Sequence, residues 1–443
     1  MTAFKAYDIR GLYDSEVNED LAYHVGKALV TYLGAKQLVV GRDCRASSPS
    51  LHAKLIEGIT SCGCDVVDLG LISTPQLYFA LYTSQLDGGV MVTASHNPKE
   101  YNGLKLCAKK AIPLYSKYGF EEIKQIIATK RYVDADTSGN VTQKNIHRSY
   151  TDFFKAKAKP LTRSFTLLVD CGNGMGTKEV AALKELYGDK LHIETLYENM
   201  DGTFPNHEAN PIIEENMKTL SEKMKTGEYD YGIGFDGDAD RIAFYLDTGD
   251  MISPDLMTGL LGSHLAKGDQ KVGYEVRSSQ AVEEILVDNH IVPLLYPSGR
   301  AFMMAKMREN KAVFAGEKSG HYFYQELDYT DNALFTLMKV LELVDKKGET
   351  LNALIEPLEE MYSRSGEINY TVSDADAALK KIEEKYMSKA LRVLKIDGVS
   401  VYTDAYFFNV RKSNTEPLVR VNIEGTGPQV VEEIKEELEG LIL

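Results

Sequence analysis

Gly88-Gly89-Val90-Met91-Val92-Thr93-Ala94-Ser95-His96-Asn97-Pro98 reads as a short apolar strand that breaks off at a polar bend, and the first reactive atom of that bend is the Ser95 hydroxyl. Asn97-Pro98 and Asn102-Gly103 are turn signals, so the backbone here is expected to be bent and presented rather than packed. A serine is a weak nucleophile near neutral pH unless neighbouring charge lowers the cost of its reaction, and His96, Lys99 and Lys105 lie close along the chain. Alone, the segment would be an ordinary turn with polar residues. It gains weight because the pattern recurs: a strand over 229–235 leads into Asp236-Gly237-Asp238-Ala239-Asp240-Arg241, and one over 312–315 into Gly316-Glu317-Lys318-Ser319-Gly320-His321. Open α/β sheets hold their ligands just past the carboxyl ends of strands, which is where Ser95, Asp236 and Glu317 fall. Three such edges converging would form one central cleft.

Short Val/Ile-rich strands alternate with helical periodicity through most of the chain, as in α/β architecture. Helices are expected over 21–33, 52–61 and 119–127, and strands over 37–41, 64–69 and Gly88–Val92. A polar linker over 134–145 marks the first boundary. Phe165–Asp170 opens the next unit and runs into Gly172-Asn173-Gly174-Met175-Gly176 and a helix from Lys178. That glycine spacing departs from G-x-G-x-x-G, and the Lys-Ser/Thr pair of a P-loop is missing, so a tight strand-to-helix turn is expected and not a nucleotide site. Asp247-Thr248-Gly249-Asp250 marks another boundary; a third unit carries strands over 271–276 and 311–316 and a helix over 332–345. After about Tyr362 strands outnumber helices. The expected layout is therefore three similar mixed-sheet α/β domains, over 1–145, 146–247 and 248–362, and a smaller C-terminal α+β domain over 363–443.

Asp236, Asp238 and Asp240 alternate with small residues, which in an extended loop points three carboxylates to one side, a grip for a hard divalent cation. An EF-hand is excluded: its sixth position needs Gly where this chain has Arg241, and its twelfth needs Glu where this chain has Asp247. Three protein carboxylates leave coordination positions for a phosphate oxygen and so favour Mg²⁺. Arg411-Lys412-Ser413-Asn414-Thr415-Glu416-Pro417, with Arg420 beyond, combines guanidiniums, hydroxyls and an amide suited to a phosphate dianion.

A net charge of −15 excludes nucleic acid and an anionic membrane as partners. An anionic substrate then needs a local cationic pocket, for which Arg10, Lys105, Arg411 and Arg420 are candidates. The five cysteines, Cys44, Cys62, Cys64, Cys107 and Cys171, form no metal-ligand spacing and suit a reducing cytoplasm. No run of about eighteen apolar residues exists, and the first residues lack an apolar signal core, so a cytoplasmic protein is expected.

Together, Thr93-Ala94-Ser95-His96-Asn97-Pro98, the Asp236–Arg241 loop, Gly316-Glu317-Lys318-Ser319-Gly320-His321, Arg411-Lys412-Ser413-Asn414-Thr415 and the opening Phe4-Lys5-Ala6-Tyr7-Asp8-Ile9-Arg10-Gly11 resemble the α-D-phosphohexomutase family, in that family's order. The wording resembles its phosphomannomutase/phosphoglucomutase branch. The resemblance implies interconversion of hexose 6-phosphate and hexose 1-phosphate, of mannose or glucose, through a phosphoserine at Ser95 and a hexose 1,6-bisphosphate intermediate that also serves as activator. It implies Mg²⁺ held by Asp236, Asp238, Asp240 and Ser95. Substrate would be bound by Tyr7, Arg241, Glu317, Ser319, Arg411, Ser413, Asn414, Thr415 and Arg420. Arg10, Lys105 and His321 are all candidates for the acid–base work. The partners implied are small-molecule sugar phosphates, and the oligomeric state is left open. The alternatives are a phosphoglucosamine mutase and a Mg²⁺-dependent sugar phosphatase. One departure bears on sugar choice: Pro297-Ser298-Gly299 is followed by Arg300, where the family often has an aromatic or His.

Overall fold

The strand Gly88–Val92 is buried at every position and lies inside a sheet that its neighbours assemble on both edges. This computed structural model of the chain describes residues 2–412 and 418–443. The first domain contains β1 (Ile9–Leu12), α1 (Glu19–Leu33), β2 (Gln37–Arg42), α2 (Ser48–Thr60), β3 (Asp65–Leu71), α3 (Thr74–Tyr82), β4 (Gly88–Val92), β5 (Tyr101–Ala108), β6 (Ile112–Pro113), α4 (Phe120–Thr129) and β7 (Val141–Gln143). Its sheet runs β1-β5-β4-β2-β3-β7, with β6 beside β5. The β4-β2-β3-β7 part is parallel, and β5 is antiparallel to both β4 and β1. Local chemistry fixes the ends of α1: the Asn18 side chain accepts the Leu21 amide proton, and Gly34 closes the helix in the left-handed region. Val25, Leu29, Leu55 and Ile59 from α1 and α2 pack with Leu38, Val40, Val90 and Leu104 from the sheet. Burial of such side chains stabilises by about 1.5–3 kcal/mol each.

The structure corrects three expectations here. Asn102-Gly103 is no turn: both residues lie in β5, paired with Gly11 and Arg10 of β1. Glycine is required at 103 by close approach, because a Cβ there would come within 2.3 Å of the Ile9 carbonyl oxygen. The Ser95 bend is also packed and not presented, with Ser95 only 2% exposed. The stretch expected to be a plain linker contributes the edge strand β7, paired with β3.

In the second domain, α5 (His147–Lys155), β8 (Phe165–Asp170), α6 (Gly176–Tyr187), β9 (Leu191–Leu196), α7 (Lys218–Met224), β10 (Tyr231–Phe235) and β11 (Ile242–Tyr245) follow in order. The sheet is β11-β10-β8-β9, parallel except for β11. The third contains α8 (Pro254–Leu265), β12 (Lys271–Glu275), α9 (Gln280–Asp288), β13 (Val292–Tyr296), α10 (Arg300–Asn310), β14 (Phe314–Gly316), β15 (Tyr322–Tyr324), β16 (Thr330–Asp331) and α11 (Ala333–Lys347). Within it β12 and β13 are parallel, and β15 and β16 antiparallel. After α12 (Leu351–Glu359), the C-terminal domain is an antiparallel sheet of β17 (Ser363–Thr371), β18 (Arg392–Leu394), β19 (Val399–Tyr402), β20 (Tyr406–Lys412) and β21 (Leu418–Gly425), in the order β17-β21-β20-β19-β18. Ile382 and Tyr386 of α13 (Ala375–Tyr386) and Val431, Ile434 and Leu438 of α14 (Pro428–Ile442) share its apolar core.

By contact the chain forms two compact units. One is Met1–Ile252 with Met304–Phe314 and Ser319–Leu351; the other is Ser253–Met303, Ala315–Lys318 and Asn352–Leu443. All five cysteines are free thiols. No helix among the described residues is long and apolar enough to cross a membrane.

Candidate active site

The Ser95 loop is shaped from below by a guanidinium. Arg45, fully buried, donates to the carbonyl oxygens of Ser95 at 2.8 Å, Asn97 at 2.5 Å, Pro98 at 2.7 Å and Tyr101 at 3.0 Å. Asp43 supplies the countercharge at 3.3 Å, and the Phe204 ring lies 4.9 Å over the guanidinium. Burial first, with the nearby Arg10 charge, lowers the Arg45 pKa, and Asp43 opposes it. Ser95 itself sits at φ +51°, a left-handed conformation uncommon for a residue with a side chain and most frequent at functional turns. The Thr93 hydroxyl accepts the Ser95 amide proton at 2.8 Å. Thus β4 delivers the serine, and the end of β2, alongside β4 through Arg42 and Val92, delivers the clamp.

The Ser95 hydroxyl donates to Asp236 Oδ2 at 2.6 Å and lies 3.2 Å from His96 Nδ1. Burial first, then Arg241 and Arg10, holds His96 well below the usual imidazole range, so its ring is neutral. The metal loop approaches the serine closely: a Cβ on residue 237 would stand 2.4 Å from the Ser95 carbonyl oxygen, which accounts for Gly237. The glycine-rich turn between β8 and α6 supports the same loop, with the Met175 amide donating to the Gly237 carbonyl at 3.0 Å.

Asp236, Asp238 and Asp240 are all completely buried, and one oxygen from each lies within 4.8 Å of the others. Burial, then Asp238 and Asp240, pushes the Asp236 carboxyl well above the ordinary carboxylate range. Burial and Asp240 act on Asp238 in the same sense, but Lys105 and Thr74 outweigh them and its pKa is lowered. Lys105 Nζ donates to Asp238 Oδ2 at 2.6 Å and also to Asp240 Oδ2. Asp238 Oδ1 is buried without a hydrogen-bond partner among the described residues. An all-oxygen set of buried carboxylates with an unused oxygen fits a hard divalent cation.

His321 joins this cluster. Its Nε2 is 3.2 Å from Asp240 Oδ1, 3.3 Å from Arg241 Nε and 3.9 Å from Asp331 Oδ2, while the Ser319 hydroxyl is 2.8 Å from Nδ1. Arg241 Nε is 3.8 Å from Asp236 Oδ2. Arg10 is paired with Asp8 and donates to the Asn97 side chain at 2.7 Å. Tyr7 is 40% exposed. Ser95, Arg10, Lys105, the three aspartates, Arg241, Ser319 and His321 therefore belong to one unit and are linked by bonds within it.

Glu317, Arg411 and Arg420 belong to the other unit. Glu317 is buried and its Oε1 accepts the Gly299 amide proton at 2.6 Å, fixing the Pro297-Ser298-Gly299 loop. Arg411 and Arg420 face each other across β20 and β21 and share Glu367, at 3.0 and 3.1 Å. Ser413, Asn414 and Thr415 lie outside the described residues.

Sequence reading missed Arg45, Thr74, Asp331 and Glu367. Arg45 had a usable signal, since Arg42-Asp43-Cys44-Arg45 ends a parallel strand just as Ser95 does. Glu367, inside a strand, had none.

Comparison with known proteins follows this geometry closely. Four sequence families match in succession: "Phosphoglucomutase/phosphomannomutase, alpha/beta/alpha domain I" over residues 1–134, domain II over 148–249, domain III over 253–362 and "C-terminal domain" over 367–441. A protein named "Phosphohexose mutases" from Xanthomonas campestris pv. campestris is 36% identical, with 100% of this chain and 99% of the relative covered. A phosphomannomutase of Escherichia coli K12 is 33% identical, covering 96% and 95%. Among solved structures, a phosphoglucomutase/phosphomannomutase family protein from Burkholderia thailandensis superposes with a TM-score of 0.90 at 29% identity, covering 99% of this chain and 96% of that one.

Proposed function

We infer the course of the reaction from the premise that this chain belongs to the phosphoglucomutase/phosphomannomutase family and is an intramolecular phosphotransferase interconverting hexose 6-phosphate and hexose 1-phosphate. Phosphorylated Ser95 gives its phosphoryl group to the free hydroxyl of the monophosphate: the Oγ–P bond breaks and a sugar O–P bond forms. The resulting bisphosphate turns over, and its other phosphate returns to Ser95. Phosphoryl transfer asks little of a protein beyond positioning and charge stabilisation. The observation that carries this reading is the Ser95 hydroxyl bonded at 2.6 Å to the first of three clustered, buried aspartates.

Asp236, Asp238 and Asp240, with an oxygen on Ser95, would hold Mg²⁺. When bound it supplies positive charge to the phosphoserine oxygens. Lys105 bridges two of the same carboxylates and offsets their charge. The proton of the attacking sugar hydroxyl passes to Lys105 or His321, while Arg10, a guanidinium that stays protonated, acts through its charge. Of these, His321 carries the side-chain type most often used for general acid–base transfer. Glu317 and Ser319 would hold sugar hydroxyls shared by the two orientations; Tyr7, Arg241, Arg411, Ser413, Asn414, Thr415 and Arg420 would hold the phosphates. Mannose and glucose phosphates are the proposed substrates, with hexose 1,6-bisphosphate as activator, and the cytoplasm is the proposed location.

Measuring hexose 6-phosphate formed from glucose, mannose and glucosamine 1-phosphates, with bisphosphate present, tests the reading. Glucose and mannose phosphates should react within about tenfold of each other in kcat/KM, roughly 1.4 kcal/mol. Accumulation of inorganic phosphate in place of the isomer would make the protein a phosphatase instead.

A further inference from the structure

Glu179, on α6, is a carboxyl group in an unexpected place. It is fully buried, and its bonded partners among the described residues are two hydroxyls, with no ammonium or guanidinium. Ser73 Oγ donates to Oε1 and the Tyr150 hydroxyl donates to Oε2 at 2.9 Å. Packing alone would favour an apolar side chain here, since a buried carboxyl is costly unless its bonds compensate. What the two bonds fix is the position of their partners.

Each partner leads to the site. Ser73 caps α3: its Oγ accepts the Gln76 amide proton at 3.3 Å, and Gln76 Oε1 accepts that of Ser73 at 3.2 Å. The next residue, Thr74, donates its amide to the Asp238 carbonyl at 3.0 Å and its hydroxyl to Asp238 Oδ2. On the other side the Tyr150 hydroxyl accepts from Asn332 Nδ2 at 3.2 Å. Asn332 caps α11 through the Phe335 amide at 2.8 Å and directly follows Asp331, whose carboxylate is 3.9 Å from His321 Nε2. One buried side chain of the second domain thus grips the start of a helix in the first and, through Tyr150, the start of a helix in the third. Both helices begin beside groups of the candidate site.

We propose that Glu179 is a positioning residue for the mutase reaction, holding Thr74 against Asp238 through Ser73 and holding Asp331 beside His321 through Tyr150 and Asn332. The proposal rests on the mutase reading above, but one of its arms is measurable without turnover. Groups that orient metal ligands typically change metal affinity or activity by about 10–100-fold when removed.

The test uses the full-length protein and four variants, with Mg²⁺ binding followed by calorimetric titration and turnover by hexose 6-phosphate formation. Glu179→Leu, folded by circular dichroism, should weaken Mg²⁺ binding about tenfold or more and lower kcat with little change in KM. Glu179→Gln keeps one acceptor and, like the protonated acid, offers a donor at the other position, to which a hydroxyl can turn its oxygen; it should stay within about threefold of wild type in both. Ser73→Ala should lower Mg²⁺ affinity. Tyr150→Phe should lower kcat while leaving Mg²⁺ affinity unchanged. A folded Glu179→Leu protein with wild-type affinity and kcat overturns the proposal, as does a Gln variant as damaged as the Leu variant. Should Glu179→Leu not fold, identical behaviour of Ser73→Ala and Tyr150→Phe in both measurements overturns the two-armed arrangement. Wild-type protein without mutase activity, but with the Ser73 effect on Mg²⁺ intact, would sink the functional reading and leave the first arm standing.

Discussion

Replacing Glu179 by Gln should stabilise the protein increasingly as pH rises. The carboxyl group is 0% exposed, and burial, only partly offset by the Ser73 and Tyr150 bonds and by His147, pushes its pKa from 4.5 up to about 7. A folded-state pKa above the unfolded one means that the native protein prefers the protonated acid. Below about pH 4.5 both states are protonated and nothing is lost; between about 4.5 and 7 the unfolded state ionises first and stability falls; above about 7 the loss is complete. One pKa unit corresponds to about 1.36 kcal/mol, so the full penalty is about 3 kcal/mol and the part falling between pH 5 and pH 8.5 about 2–3 kcal/mol. Glutamine has the shape and the hydrogen-bonding capacity of the neutral acid and does not ionise. Tyr150 and His147 on α5 and Tyr82 on α3 are the other ionisable groups facing this site, and they are common to both proteins. Urea unfolding of wild type and variant at half-unit pH steps isolates the Glu179 contribution as a difference. The stability of the Gln variant minus that of wild type should grow by about 2–3 kcal/mol from pH 5 to pH 8.5. A flat difference would show that Glu179 ionises in the folded protein as readily as in the unfolded chain, and would refute the reasoning.

Three further outcomes follow from the site. Asp238→Asn, which removes one charge from a buried three-carboxylate cluster, should weaken Mg²⁺ binding at least about tenfold and depress kcat, and a rate unaffected by EDTA in wild type would refute the metal assignment. Arg45→Lys keeps the charge but loses the fork that spans four carbonyls; it should speed amide exchange across the Ser95 loop and lower kcat/KM about tenfold or more, and unchanged exchange would show that the loop holds itself. Arg411→Lys should raise KM and lower kcat together, because remote phosphate binding aligns the reacting atoms; wild-type kinetics would reduce Arg411 to the Glu367 ion pair.

Much of this molecule was legible from its strand ends. Gly88–Val92 and Phe165–Asp170 were bounded correctly because apolar runs stop there at Gly, Asp or Thr. The start of α1 was placed two residues late, at Leu21, because apolar periodicity begins there while the polar cap at Asn18 sets the true start. Helix α3 was missed for a different reason: eight of its residues, from Thr74 to Leu81, are buried, so it has no polar face to create a period. β5 was hidden by Asn102-Gly103, whose small size serves contact with β1 and not a turn. At the site, Ser95, the aspartates and His321 could be named because motif and strand end coincide. Glu179 and Glu367 could not, since their contacts arise only when separate elements meet; Arg45 shares the strand-end position of Ser95 but stands in no motif.

A single-turnover label transfer examines the covalent route directly. Protein phosphorylated at Ser95 with radiolabelled phosphate, freed of excess reagent, is mixed with unlabelled glucose 1-phosphate and quenched within one turnover. If Ser95 donates its phosphoryl group and is rephosphorylated from the intermediate, label should leave the protein and appear in hexose bisphosphate and hexose 6-phosphate, while Ser95 regains unlabelled phosphate. Ser95→Ala protein should carry no label at all. Label that stays on the protein during turnover, or emerges as inorganic phosphate, would contradict the phosphoserine mutase mechanism.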